Sequence, residues 1–243
     1  MASTVPNKGL IRFQGFLESE HLLVTSTESI QQVLVQESYN FVKPKGAKKL
    51  FNRFLGSKIL FMSEGSDHKE SKRHMQPPFS LSRVKTLYGA FWERAVRLCD
   101  EIEREVMPDE QGSIVNIEMP THNATLDAVL RTTFGEKFEG SPHKIEILQL
   151  KDTVLSGTWD VRLYFMMAAM LPVWAARLIP GGISARVDEA GSRVRQSVRN
   201  LIRDRTTDVG SAASDDIATQ IAAAGYFSED ELVANLLSIV IAG

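Results

Sequence analysis

Two short runs near the start of the chain, Leu10-Ile11-Arg12-Phe13-Gln14-Gly15-Phe16-Leu17 and His21-Leu22-Leu23-Val24-Thr25, flank the polar turn Glu18-Ser19-Glu20. That arrangement predicts a β-hairpin. After it the period changes to that of helices. A helix is expected from Thr27 or Ser29 through Val35, with Ile30, Val33 and Leu34 on one face. Pro44 is expected to end any helix there, leaving Lys45 to Ser63 irregular.

The most regular element follows. After Ser80 or Ser82 as N-cap, apolar residues fall at Val84, Leu87, Phe91, Ala95, Leu98 and Ile102, a stripe that should face a core until Pro108 breaks it. Cys99 lies beside that stripe and reads as a small, buried or half-buried thiol. Ile114 to Ile117 suggests a short strand, and Pro120 to Phe134 a helix closed by Gly135. Further helices are expected at Ile145 to Ser156 and Ser184 to Arg205, with a Ser/Ala/Asp linker from Gly210 to Asp216.

The last predicted helix breaks the amphipathic rule. A capping box, Ser228-x-x-Glu231, opens a segment in which Leu232, Leu236, Leu237, Ile239, Val240 and Ile241 cover every face, up to Ala242-Gly243. A helix apolar all round belongs inside a protein, so the expectation is that residues beyond these 243 bury it. A second apolar stretch, Leu163 to Ala176, carries no charge between Arg162 and Arg177. It is too short to span a bilayer and is interrupted by Pro172. Three readings stay open for it: a buried helical pair, a surface that dips into the membrane interface, or the lining of an apolar ligand pocket.

Composition narrows the class. With 243 residues, 43% hydrophobic and 24% charged, the chain has enough apolar content for a sizeable core. A net charge of -2 argues against a dedicated nucleic-acid binder. A single cysteine excludes an internal disulfide and any Cys-rich metal site. Met1 to Lys8 has no apolar signal region, and no stretch approaches a membrane span, so a cytoplasmic or peripherally membrane-associated location is expected.

The total hides an uneven distribution. Between Tyr39 and Tyr88 eleven Lys or Arg stand against three acids. Such an excess suits an anion or an acidic partner, or a solvated surface offset by the acidic stretch Asp100 to Glu110. Phe41, Phe51, Phe54 and Phe61 interleave it at a spacing that fits a packed loop and short helix better than nucleic acid.

No nucleotide-binding glycine loop, zinc-protease helix, serine-nucleophile elbow or Cys-x-x-Cys pair is present. His68 and His74 are six residues apart, a poor metal pair on a helix. The residues that carry chemistry do so together. Phe41-Val42-Lys43-Pro44, then Glu64-Gly65-Ser66-Asp67-His68-Lys69-Glu70-Ser71-Lys72-Arg73-His74-Met75-Gln76-Pro77-Pro78-Phe79-Ser80, resembles the stretch before and through the C helix of a cytochrome P450. Gly9 to Ser26 with the helix after it resembles that family's first hairpin and B helix. Glu231 to Gly243 resembles the first half of its I helix. The closest flavour is the fungal membrane-bound type.

The resemblance implies a mainly α fold with a small N-terminal β-hairpin, here an incomplete cytochrome P450 fold in one partial domain (1–26 hairpin region, 27–243 helical region). It implies haem as cofactor, with His68 and Lys72 on the two positions that grip the propionates. Two donors one helical turn apart reach one carboxylate pair from one face. It also implies a small lipophilic substrate, hydroxylated in secondary metabolism, and a reductase as electron source, with no nucleic-acid partner. The family's axial cysteine loop does not occur in these residues, and Cys99 does not match it. A chain lacking that thiolate is expected to be inactive alone. The alternative is a non-catalytic helical module that uses 163–176 to bind a small molecule or a membrane surface.

Overall fold

The computed structural model describes residues 6–15, 18–56, 58–106, 114–135, 138, 159, 163, 164, 166, 167, 182–207 and 216–242. The chain separates into two compact units, Met1–Pro44 and Lys45–Gly243.

In the first unit β1 (Leu10–Gln14) and β2 (Glu20–Val24) pair antiparallel, Leu10 opposite Val24 and Gln14 opposite Glu20. The hairpin is as expected, although β1 stops at Gln14. Gly9 adopts φ +97°, and a Cβ there would meet Ser26 Oγ at 2.6 Å. Only glycine fits this approach, which lets the Gly9 carbonyl accept from Thr25 N at 2.9 Å. Ser26 then caps α1 (Thr27–Gln31), accepting from Ser29 N at 3.2 Å. The helix widens into a π-helical turn over Gln32–Gln36. The apolar face expected there is not buried: Ile30 and Leu34 are 43% and 69% exposed.

The second unit opens with a correction. Lys45–Leu55 is not irregular but helix α2. Pro44 precedes the helix rather than ending one; a proline just ahead of a first turn removes no intrahelical bond. Leu50, Phe51 and Leu55 then fall at helical spacing, Leu55 in the core and the other two packed against it. A 3-10 turn (Leu60–Met62) leads to α3 (Gly65–Met75), a second 3-10 turn (Pro77–Phe79) and the long α4 (Leu81–Val106). Residues 114–117 form no strand, since no neighbouring strand among the described residues offers them a ladder, and Ile117 is 60% exposed.

Helix α5 (Glu118–Phe134) ends at Gly135, φ +74°, as the pattern predicted. Helix α6 (Ile183–Thr207) buries Val187, Val194, Val198 and Leu201 along one face. Helix α7 (Ile217–Ala223), which the periodicity did not indicate, starts where Asp216 Oδ1 accepts from Thr219 N at 2.8 Å. Helix α8 (Glu229–Ala242) closes the unit with its capping box formed: Ser228 N donates to Glu231 Oε2 at 3.0 Å, and Glu231 N to Ser228 Oγ at 3.3 Å.

The core is organised around α8, which packs against α2, α5, α6 and α7. Val233, Ala234, Asn235 and Leu236 have no exposed surface. The described chain already covers most of the helix, while Ile239 and Ile241 in its last turn stay half-buried and Ala242 exposed. Buried Asn235 ties the helix to the turn that follows α2. Its Oδ1 accepts from Leu60 N at 2.8 Å, and its Nδ2 donates to Glu231 O at 2.8 Å. The expected helix at 145–156 and most of the linker at 210–216 lie outside the described residues.

A candidate haem-propionate helix

Helix α3 is positioned by its two ends. Glu64 is extended (φ -140°, ψ 161°), Gly65 turns the chain at φ +57°, and the helix then runs to Met75. At the far end Gln76 N donates to Lys72 O at 2.9 Å, and the Pro77–Phe79 turn hands the chain to α4. The buried Ser71 and Met75 fix the inward face. At ~100° per residue, His68 and Lys72 lie about 40° apart on the flank beside Met75, while Lys69 and Arg73 point outward.

His68 is half-buried and Lys72 exposed, with no ion pair to Lys72 among the described residues. An imidazole and an ammonium one turn apart suit a pair of carboxylates, so the donor set fits haem propionates. His74 is on another face and stacks on Tyr226 with ring centroids 4.0 Å apart. No cluster of His, Cys, Asp or Glu suited to a metal ion occurs among the described residues.

The neighbouring flank of α3 is different. Asp67 and Ser71 line a cavity of about 610 Å³ bounded by α2, α3 and α8, to which neither His68 nor Lys72 contributes. Two ion pairs edge it, Lys48–Glu64 at 3.5 Å and Lys58–Glu231 at 2.8 Å. The hydrogen bond from Lys58, then that from the Ser228 backbone, holds the Glu231 carboxyl below the usual glutamate range. Sequence reasoning had left residues 45–63 irregular, so it missed this cavity.

It also missed an ionic anchor. Arg53 donates to Asp188 Oδ1 and Oδ2 at 2.7 and 2.6 Å, to Tyr164 Oη at 2.6 Å and to Ser184 Oγ at 2.6 Å. The Asp188 hydrogen bonds, against the opposing effect of burial, raise the Arg53 pKa. Tyr164 has no exposed surface, whereas Leu163 and Met166 are 47% and 59% exposed. The uncharged stretch 163–176 therefore combines a core residue with surface apolar ones where it is described; the rest of it lies outside the described residues. Cys99 is exposed on α4, correcting its expected burial.

A model of the family described as "Cytochrome P450" matches residues 14–243. The chain is 59% identical over its whole length to the cytochrome P450 monooxygenase abl5 of Leptosphaeria maculans, covering 44% of that protein. It is 30% identical to the cytochrome P450 monooxygenase FSL4 of Gibberella zeae, covering 100% of this chain and 46% of the relative. Among solved structures, a retinoic acid-bound cyanobacterial CYP120A1 superposes with a TM-score of 0.66 at 14% identity, over 96% of this chain and 48% of that one. The chain thus spans a little under half the length of these relatives. The likeness to the solved structure bears on fold alone.

Proposed function

The chain belongs to the cytochrome P450 family, and on that premise we propose that it forms the propionate-binding wall of a haem-thiolate monooxygenase. The whole protein would hydroxylate a small lipophilic molecule of fungal secondary metabolism, with electrons from a reductase. The family match over residues 14–243 carries this reading; the one-turn spacing of His68 and Lys72 on one flank of α3 supports it. Both relatives compared above are named monooxygenases and come from fungi.

Bound haem would supply the iron at which dioxygen is activated. The residues of this chain bind and orient it: His68 and Lys72 donate to the propionates, and the outward Lys69 and Arg73 attract an acidic reductase. Cys99, the one cysteine, is exposed on α4 and takes no part in the site. These 243 residues alone are therefore expected to form no thiolate-ligated haem and to be inactive. No helix among the described residues is long and apolar enough to cross a membrane.

The test is a fusion of this chain to the remaining residues of the Leptosphaeria relative. Each propionate donor contributes roughly 1.5–3 kcal/mol as a charge-assisted hydrogen bond. The double variant His68→Ala/Lys72→Ala should then lose haem at least about tenfold more readily, while Lys69→Ala/Arg73→Ala keeps haem and slows reduction, more so at low salt. Equal haem loss from both pairs would overturn the assignment. A thiolate-type reduced-CO spectrum from the 243 residues alone, abolished by Cys99→Ser, would overturn the assignment of Cys99.

A further inference from the structure

We propose that the cavity between α2, α3 and α8 is a second small-molecule site, separate from the haem wall and selective for an amphipathic monocation such as an arylalkylamine. Its volume of about 610 Å³ lies within the range of small-ligand pockets. Its apolar surface is built from Ile59 and Met62, both buried, and from half-buried Phe227.

The polar side decides the ligand's charge. Glu64 and Glu231 are neutralised by Lys48 and Lys58, respectively. Asp67, the third lining carboxylate, has no ion pair within 4 Å among the described residues and feels Lys58 only through space. One negative charge is thus left over. Ser71, one turn further along α3 and only 8% exposed, also lines the cavity. Its hydroxyl has no hydrogen-bond partner among the described residues, although a helical serine usually bonds back to the preceding turn. The hydroxyl opens onto the cavity, where it can accept from a bound ammonium.

An ammonium placed between Asp67 and Ser71 satisfies both, with its ring against Met62 and Phe227 and a cation–π contribution from Tyr226. The site is distinct from the haem wall. Glu231 is eleven residues before Ala242 on α8, about 16 Å along the axis, and His68 and Lys72 do not line the cavity.

The experiment titrates the full chain by calorimetry and ligand-observed NMR with 2-phenylethylamine, the isosteric 2-phenylethanol, and phenylacetate. The amine should bind at least about tenfold more tightly than the alcohol, with phenylacetate weakest. Asp67→Asn should erase that preference, whereas Glu70→Gln, which removes the same charge from α3 outside the cavity lining, should not. Ser71→Leu, which fills the cavity, should abolish binding of amine and alcohol alike. The proposal is overturned if the amine does not bind, if amine and alcohol bind equally, if Glu70→Gln weakens the amine as much as Asp67→Asn, or if Ser71→Leu leaves binding intact.

Discussion

Helices α4 and α8 invert what their sequences suggest. The first has the cleaner amphipathic stripe and buries no residue fully; the second, apolar on all sides, is the most deeply covered helix described. Along α4 the residues turned toward α5 are half-buried and include Arg94, which pairs with Glu101 at 3.3 Å and Asp127 at 3.4 Å. Its outer face carries Val84, Tyr88, Phe91, Trp92 and Val96, each at least 39% exposed. A helical period fixes which residues share a face, but not whether anything packs on that face. An all-round apolar composition says more, because it is tolerable only at the centre.

The largest effects should come from perturbing the centre. Leu236 has no exposed surface, so Leu236→Ala should destabilise the fold by about 2–5 kcal/mol in urea unfolding. Val96→Ala on the outer face of α4 should cost no more than about 0.5 kcal/mol. Comparable losses from the two would dissolve the contrast. Asn235→Ala should fall between them. It leaves the Leu60 amide without its partner at 2.8 Å, a cost of about 1–3 kcal/mol, and amide exchange should accelerate at Leu60.

The sequence revealed elements wherever one local rule acted alone. The glycine stop at Gly135, the Ser228/Glu231 capping box and the span of α6 all follow from neighbours within a turn or two. It failed where distant residues decide. Pro44 was read as a stop because the apolar positions Leu50, Phe51 and Leu55 become a helix face only when α6 and α8 are there to receive them. The Arg53 anchor joins residues more than one hundred positions apart, and no spacing rule spans that distance. At the candidate site His68 and Lys72, the proposed propionate donors, were legible through the family resemblance, with which their one-turn spacing on α3 agrees. The cavity beside them was not, since it is assembled from α2, α3, the 226–227 turn and α8.

The outer face of α4 offers a smaller test. Replacing Tyr88 and Trp92, 63% and 60% exposed and stacked at 6.2 Å, by glutamate should lower the binding of a hydrophobic dye and raise solubility. The unfolding midpoint should move little. A large drop in stability would mean that this face is packed in solution.

A further effect concerns how α8 begins. Ser228→Ala removes one half of the capping box and should cost about 1 kcal/mol. Its partner Glu231 adds a pH dependence whose sign follows from its environment. The Lys58 hydrogen bond and the Ser228 amide lower its carboxyl below the ordinary glutamate value in the folded state. The unfolded chain therefore takes up the proton first as pH falls. The stabilisation is complete above the ordinary value and is lost as pH drops through the folded one. Glu231→Gln removes this titration, so the variant's unfolding midpoint should decline less steeply than that of the parent across the acidic side of the carboxylate range. Lys58→Ala should also flatten the decline, because with the largest cause of the depression gone the folded and unfolded chains take up the proton over nearly the same range. If both variants follow the parent curve, the start of α8 is held by the burial of Leu232 and Val233 rather than by its cap.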